Sequence, residues 1–163
     1  IVNKAHSNIN KFFKKGKYSP KDLQTNLNKI MWKYCGVLKN GSDLDIALSK
    51  IKDIQNQFEN INLREDSNLA SNLFQTLDLQ SSLVTSQATI LSAIARHESR
   101  GAFQRKDYKA TNLNSKFNTY IRMNEKDCSL YITKKPVKSL PKEIKKLLEK
   151  TEKLEVTGDK LLE

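Results

Sequence analysis

LDLQSSLVTSQATILSAIARHESRG, residues 77–101, decides the fold. Leu79, Leu83, Ile90 and Ile94 recur at helical spacing along one stripe. A second stripe runs Leu77, Val84, Ala88, Leu91 and Ala95, and Leu69 and Leu73 carry it further back. Apolar residues on two sides, with Ser, Thr and Ala between them, predict a central helix packed against more than one neighbour. It is expected to begin near Ser67 or Asn68 and to reach about Ser99. Arg96, His97 and Arg100 then fall in its last turn, where cations suit the negative end of the helix dipole. Gly101 can take the left-handed conformation that closes a helix.

Two amphipathic helices are expected before it. SPKD, residues 19–22, is a start signal: Ser19 can cap, Pro20 suits the first helical position, and Asp22 favours the positive end of the dipole. Leu23, Leu27, Ile30, Met31 and Tyr34 fall on one face of the helix that follows. KNGSD, residues 39–43, is turn chemistry, with Ser42 as the next candidate cap. Leu44, Leu48, Ile51, Phe58 and Ile61 mark the inner side of the second helix. After Gly101 the pattern changes. FNTYIRM (117–123) and SLYITKKPV (129–137) flank NEKDC, and their aromatic and β-branched content predicts a two-stranded hairpin, with Pro136 confining its strand to an edge. Pro141 opens a last helix with Ile144, Leu147, Leu148 and Leu154 inward.

The expected fold is therefore mainly α: a spectrin-like up-down-up three-helix bundle, a small β-hairpin and a C-terminal helix. Its parts are a lead-in or linker over 1–18, the bundle over 19–101, an extended segment and hairpin over 102–140, and the helix and tail over 141–163. No internal repeat points to a solenoid. The 163 residues suffice for a core without metal or disulfide. The start lacks both a signal-peptide pattern and an initiator Met, which points to a processed chain or a piece of something longer. No apolar run approaches the roughly 18 residues of a membrane span. Cys35 and Cys128 belong to no metal or redox motif; a half-buried Cys35, an exposed Cys128 and a reducing cytoplasmic setting are expected.

The net charge of +11 invites a nucleic-acid or anionic-surface reading. The charge is spread along the whole chain, however, and Lys and Asn are abundant throughout, so nucleic acid is not expected as a partner. The Lys run of the last helix, KEIKKLLEKTEKLE, alternates with Glu and reads as a solvated face. No GxGxxG, GxxxxGK, GxSxG or HExxH pattern occurs, so no catalytic, cofactor-binding or metal-binding residue is assigned. The densest polar stretch is ARHESRGAFQRKDY, residues 95–108. His97 fits a solvated side chain at a helix end better than a general base. Glu98 with Arg105 reads as an ion pair that sets the loop leaving the helix. Tyr108, Phe117, Tyr120 and Tyr131 are expected to pack instead of stacking bases.

ESRGAFQRKDY resembles the ESRGAHxRxDY signature in the C-terminal region of succinate dehydrogenase and fumarate reductase flavoproteins, of which L-aspartate oxidases carry a looser version. LQTNLNKIMWKYCGVLKN (23–40) is similar to that family's LQxxMxxxxGVxR helix. Leu44–Ile54 resembles the helix that follows, and 77–101 the helix that leads into the signature. The hairpin and KPVKSLPKEIKKLLE occupy the places of the family's closing hairpin and tail, so the likeness covers about residues 20–150 in order. Phe103 departs from it, standing where the signature has His, and Asn118-Thr119 lies where a Lys-His-Thr string is common.

The resemblance implies a helical domain that packs against FAD-binding and mobile capping domains, with no catalytic residue of its own. Residues for docking to those domains are expected to be Glu98, Ser99, Arg100, Gly101, Arg105 and Asp107. FAD is implied for a full-length protein and none for this chain. An iron–sulfur subunit is an implied partner, with peripheral membrane association through other subunits and no direct insertion. The alternative on composition is a basic nucleic-acid-binding or adaptor module.

Overall fold

The computed structural model of the chain describes residues 16–63, 69–112 and 114–148. Helix α1, Pro20–Tyr34, starts where the SPKD signal puts it: the Ser19 side chain accepts from the Asp22 N–H at 3.4 Å. It buries Leu23, Leu27 and Ile30. Met31 and Tyr34, on the same face, pack half-buried against the core, and the Cys35 N–H closes the helix onto the Met31 carbonyl. Lys17 and Tyr18, just ahead of it, donate to the Asn60 carbonyl, and Tyr18 accepts from the Asn62 N–H.

Helix α2, Gly41–Phe58, is capped differently from expectation. Ser42 is not its cap; Asn40 is the cap residue, extended at φ −141° and ψ 144°, and its side chain makes no cap bond. The Gly41 N–H donates instead to Asp107 Oδ2 at 2.9 Å, a partner 66 residues away. Leu44, Ala47, Ile51 and Ile54 are buried on its inner side. Leu48 and Phe58 are half-buried, and Ile61 is buried beyond the helix end.

Helix α3, Leu69–Ala95, is the central one, in contact with α1, α2 and the hairpin. Only one of its two stripes forms the core, where Leu79, Leu83 and Ile90 are buried with Thr76 and Ala93. The other stripe is half-covered, and Leu77 at 37% and Phe74 at 65% exposure face outward. Thr76 is tolerated inside because its hydroxyl donates to the Asn72 carbonyl one turn back, at 2.8 Å.

The end of α3 also corrects the sequence reading. The helix stops at Ala95, so Arg96, His97 and Arg100 do not lie in its last turn. Gly101, at φ 55°, closes a tight reversal in which Arg100 and Phe103 exchange backbone hydrogen bonds of 2.8 and 3.0 Å. The cause is Arg105, whose Nη1 donates to the Ala93 carbonyl at 2.6 Å and to the Arg96 carbonyl at 3.3 Å. A guanidinium thus satisfies carbonyls that a further helical turn would otherwise bond.

Two short sheets complete the fold. Strand β1, Leu38–Lys39, pairs in parallel with β2, Gln104–Arg105, a contact that local patterning does not announce. The hairpin forms as expected: β3, Phe117–Met123, is antiparallel to β4, Leu130–Pro136, with Phe117 opposite Pro136 and Met123 opposite Leu130. Cys128 sits exposed in its turn at φ 56°. Residues 142–148 are helical, but their apolar side does not point inward. Ile144, Leu147 and Leu148 are 45%, 63% and 49% exposed, because the three long helices close their core without them. Leu154 lies outside the described residues.

Candidate functional site

Two carboxylates organise the loop that leaves α3. Glu98 is fully buried, a position an unpaired carboxylate does not tolerate. Arg96 Nη1 donates to its Oε1. Arg100 grips it from Nε at 3.2 Å to both oxygens and from Nη2 at 3.0 Å to Oε2, and the Asn112 N–H adds a bond of 3.0 Å. Arg100 above all, with Asn112 and Arg96, holds the Glu98 carboxyl down at about 2 against the opposing effect of burial. Arg96 reaches on to the Phe117 carbonyl at 2.8 Å, with its guanidinium 4.8 Å from that ring, and so ties the loop to the hairpin.

The second pair joins two helix ends. Arg105, 3% exposed, meets Asp107 through two parallel bonds, Nε to Oδ1 at 2.7 Å and Nη2 to Oδ2 at 2.6 Å. Its cation lies at the carbonyl end of α3, and the Asp107 anion lies at the amide end of α2. Both charges thus suit the dipole of the helix they touch. Arg105 is the main cause that holds the Asp107 carboxyl well below the usual carboxylate range, and the Gly41 amide assists; Asp107 in turn raises Arg105. A Cβ on Gly41 would lie 2.9 Å from Asp107 Oδ2, so a side chain there forces the carboxylate off the amide.

Ser99, buried between the pairs, fixes the path of the chain. Its hydroxyl donates to the Tyr108 carbonyl at 2.7 Å and accepts from the Arg105 N–H at 2.9 Å. His97 is exposed and stacks on Tyr108 with ring centroids 4.8 Å apart. Of the expected docking residues, Glu98, Ser99 and Arg105 are buried with partners inside the chain, while the Asp107 side chain is 31% exposed. Arg100, its side chain 43% exposed, and Gly101, with open space where a Cβ would be, stand at the surface.

A cleft of ≈ 1360 Å³ opens between the second half of α3, the hairpin and residues 137–140 and 145. Lys39, Arg96, Arg100, Lys116, Lys138 and Lys145 line it, and among the described residues no Asp or Glu does. Sequence reasoning missed this grouping, because the six cations come from segments far apart in the chain and no local spacing links them. Among the described residues no cluster of His, Cys, Asp and Glu can hold a metal ion, and no helix is long and apolar enough to cross a membrane. Cys35 is free and half-buried, and burial pushes its thiol up.

The family described as fumarate reductase flavoprotein C-term matches residues 24–146. A fumarate reductase (CoM/CoB) polypeptide of Methanothermobacter marburgensis is 25% identical over 111 residues, 68% of this chain and 20% of that protein. The succinate dehydrogenase flavoprotein subunit of Rickettsia felis is 33% identical over 92 residues, 56% of this chain and 15% of its own length. A chloroplastic L-aspartate oxidase of Oryza sativa subsp. japonica is 28% identical over 88 residues, covering 54% and 14%. The fold matches the Mycobacterium smegmatis Sdh1 complex with a TM-score of 0.76 at 19% identity, over 86% of this chain and 24% of that one. It also matches adenylylsulfate reductase of Archaeoglobus fulgidus, with a TM-score of 0.68 at 20% identity, over 76% and 20%. The chain spans about a fifth of the length of the proteins it matches.

Proposed function

The chain belongs to the fumarate reductase flavoprotein C-terminal family, and from that premise we propose that it is the non-catalytic buttress of a larger FAD-dependent oxidoreductase. In this reading the flavin and the dicarboxylate chemistry reside in FAD-binding and capping domains. This domain holds those two parts in register, while peripheral membrane attachment and an iron–sulfur subunit belong to the assembled enzyme. The relatives named as succinate dehydrogenase, fumarate reductase and aspartate oxidase favour a flavin that handles small dicarboxylates.

In this reading the described residues offer FAD no phosphate-gripping site. The chain's glycines form no phosphate-gripping loop. The helix that a glycine does open, α2, already has its Gly41 amide engaged by Asp107, which fills the place an anion would take. No step of the flavin reaction is therefore assigned to these residues.

The observation that carries the buttress reading is the division of labour in the signature loop. Arg105 and Asp107 fasten the loop to two helix ends, Glu98 and Ser99 bond within it, and Arg100, its side chain 43% exposed while it grips Glu98, stands with Gly101 at the surface. Glu98 and Ser99 then act from below as positioning residues, while Arg100 meets the neighbouring domain and Gly101 leaves room for its backbone.

Arg100→Ala in the full-length flavoprotein is expected to lower the flavin-to-protein ratio after gel filtration, together with the unfolding temperature. In the 163-residue chain alone Glu98 keeps Arg96 and the Asn112 amide, so the loss there is expected to be smaller. Flavin content and unfolding temperature that both stay at the wild-type level would overturn the reading.

A further inference from the structure

The cationic cleft carries an inference that rests on the docking reading and extends it. We propose that this cleft seats an acidic segment, bearing a large apolar side chain, from the flavin-binding or capping part of the same polypeptide. Three observations define the occupant. The first is charge. Six cations line the cleft, and among the described residues the carboxylate they pair with, Glu98, is fully buried and spent on Arg96 and Arg100. The surplus positive charge calls for carboxylates on the incoming surface.

The second is size and floor. A volume of ≈ 1360 Å³ exceeds the roughly 300–1,000 Å³ of small-ligand pockets and suits several residues of chain. Val137 and Leu140, 54% and 48% exposed, give it an apolar wall, while the rings of Phe103 and Phe117 line it beneath their cations. An aliphatic or aromatic side chain entering against that wall removes its surface from water.

The third is the state of the two rings. Lys39 Nζ lies 5.2 Å from the Phe103 centroid, and Lys134 Nζ and the Arg96 guanidinium lie 4.6 and 4.8 Å from that of Phe117. These cations are pinned over the rings before anything binds, which reduces the entropy lost on docking. The same contacts compete with the base stacking that a single-stranded nucleic acid would need on these rings. Charge, floor and ring occupancy together favour a peptide over a nucleic acid. Arg100 ties the cleft to the docking surface, because it lines one and stands at the edge of the other.

Zero-length carbodiimide cross-linking of the full-length flavoprotein, followed by peptide mapping, tests the proposal. Lys116, Lys138 or Lys145, all exposed here, are expected to join Asp or Glu residues of the flavin-binding or capping part. Charge reversal by Lys116→Glu, Lys138→Glu and Lys145→Glu together is expected to cut those cross-links about tenfold or more, while Lys52→Glu on α2 leaves them unchanged. Circular dichroism of the triple variant checks that it folds, and the matching Lys→Gln set is expected to give a smaller, graded loss.

Cross-links confined to residues of this chain, or a yield that the triple variant leaves unaltered, would overturn the proposal. So would retention on immobilised single-stranded DNA that the triple variant abolishes while no inter-domain cross-link forms. The two readings fail separately. Cleft cross-links with flavin content unchanged in Arg100→Ala overturn the buttress and keep the seat; flavin loss without cross-links does the reverse.

Discussion

Ile51, in the middle of α2, and Arg105, in the loop after α3, are buried alike, at 0% and 3% exposure. Ile51 sits among aliphatic side chains of the bundle core and needs nothing from them except shape. Arg105 sits between two helix ends and needs the Asp107 carboxylate and two carbonyls in fixed places. The bundle is thus held by apolar area, which moderate salt and pH change little. The loop is held by charge and directed hydrogen bonds, which respond to both. A single chain carries one half that tolerates repacking and another that depends on a few atoms.

The largest effect is expected in the bundle. Ile51→Ala removes most of a fully enclosed side chain and should lower stability by about 4 kcal/mol. Urea unfolding at low salt and at about tenfold higher salt checks it. A loss that varies with salt would break the contrast. Next comes Asp107→Ala, which strands a buried guanidinium and frees the Gly41 amide, at a cost of about 3 kcal/mol. Replacing both charges, Arg105→Met with Asp107→Leu, is expected to recover at least half of that loss, because no buried charge is then left unpaired. Failure to recover would mean that the geometry at the helix ends matters more than the pairing.

Acid should separate the halves with a smaller, graded effect. Glu98 lies at about 2 in the folded chain against an ordinary 4.5, and Asp107 is held below its ordinary 3.8. Folded values depressed in this way contribute stability above the ordinary values. The Glu98 contribution disappears as pH falls from about 4.5 towards 2, and that of Asp107 as it falls from about 3.8 to lower pH still. Hydrogen-exchange protection at the Asn112 amide is expected to fall across the Glu98 interval and that at the Gly41 amide across the lower Asp107 interval, both before that of α2 residues around Ile51. Glu98→Gln should flatten the Asn112 profile. Simultaneous loss in both halves would undo the distinction.

Smaller still is Ser19→Ala, which removes a cap bond of 3.4 Å and should cost about 1 kcal/mol or less by thermal melting. Smallest is Trp32→Gln. This aromatic on α1 is 83% exposed, and stability should move by less than about 0.5 kcal/mol. A larger shift would place Trp32 in a contact that this chain alone does not make.

The two halves also differ in how far they were readable in advance. Period and burial agree in the bundle: Leu23, Leu27 and Ile30, then Leu44 and Ile51, then Leu79, Leu83 and Ile90 are inside. The hairpin was readable from local composition, since aromatic and β-branched residues crowd two short runs on either side of a polar turn. The second stripe of α3 and the apolar side of residues 142–148 misled, because periodicity identifies a face without saying whether this chain supplies its cover. The signature stretch could be picked out by its charge density. Its residues were expected to face a neighbouring domain, yet Glu98, Ser99 and Arg105 lie inside. Arg105 bonds two carbonyls near the end of α3, Glu98 the Asn112 amide and Asp107 the Gly41 amide, which no side-chain pattern records.

From residue order alone came the three amphipathic helices, the hairpin and the likeness of ESRGAFQRKDY to a flavoprotein signature, because each is written in neighbours a few positions apart. The early stop of α3, the capping of α2 by a carboxylate 66 residues away, the parallel pairing of Leu38–Lys39 with Gln104–Arg105 and the convergence of six cations on one cleft arose only on folding. Short-range periodicity specifies which face of an element is apolar. Where two distant charges meet depends on how the packed helices bring their ends together.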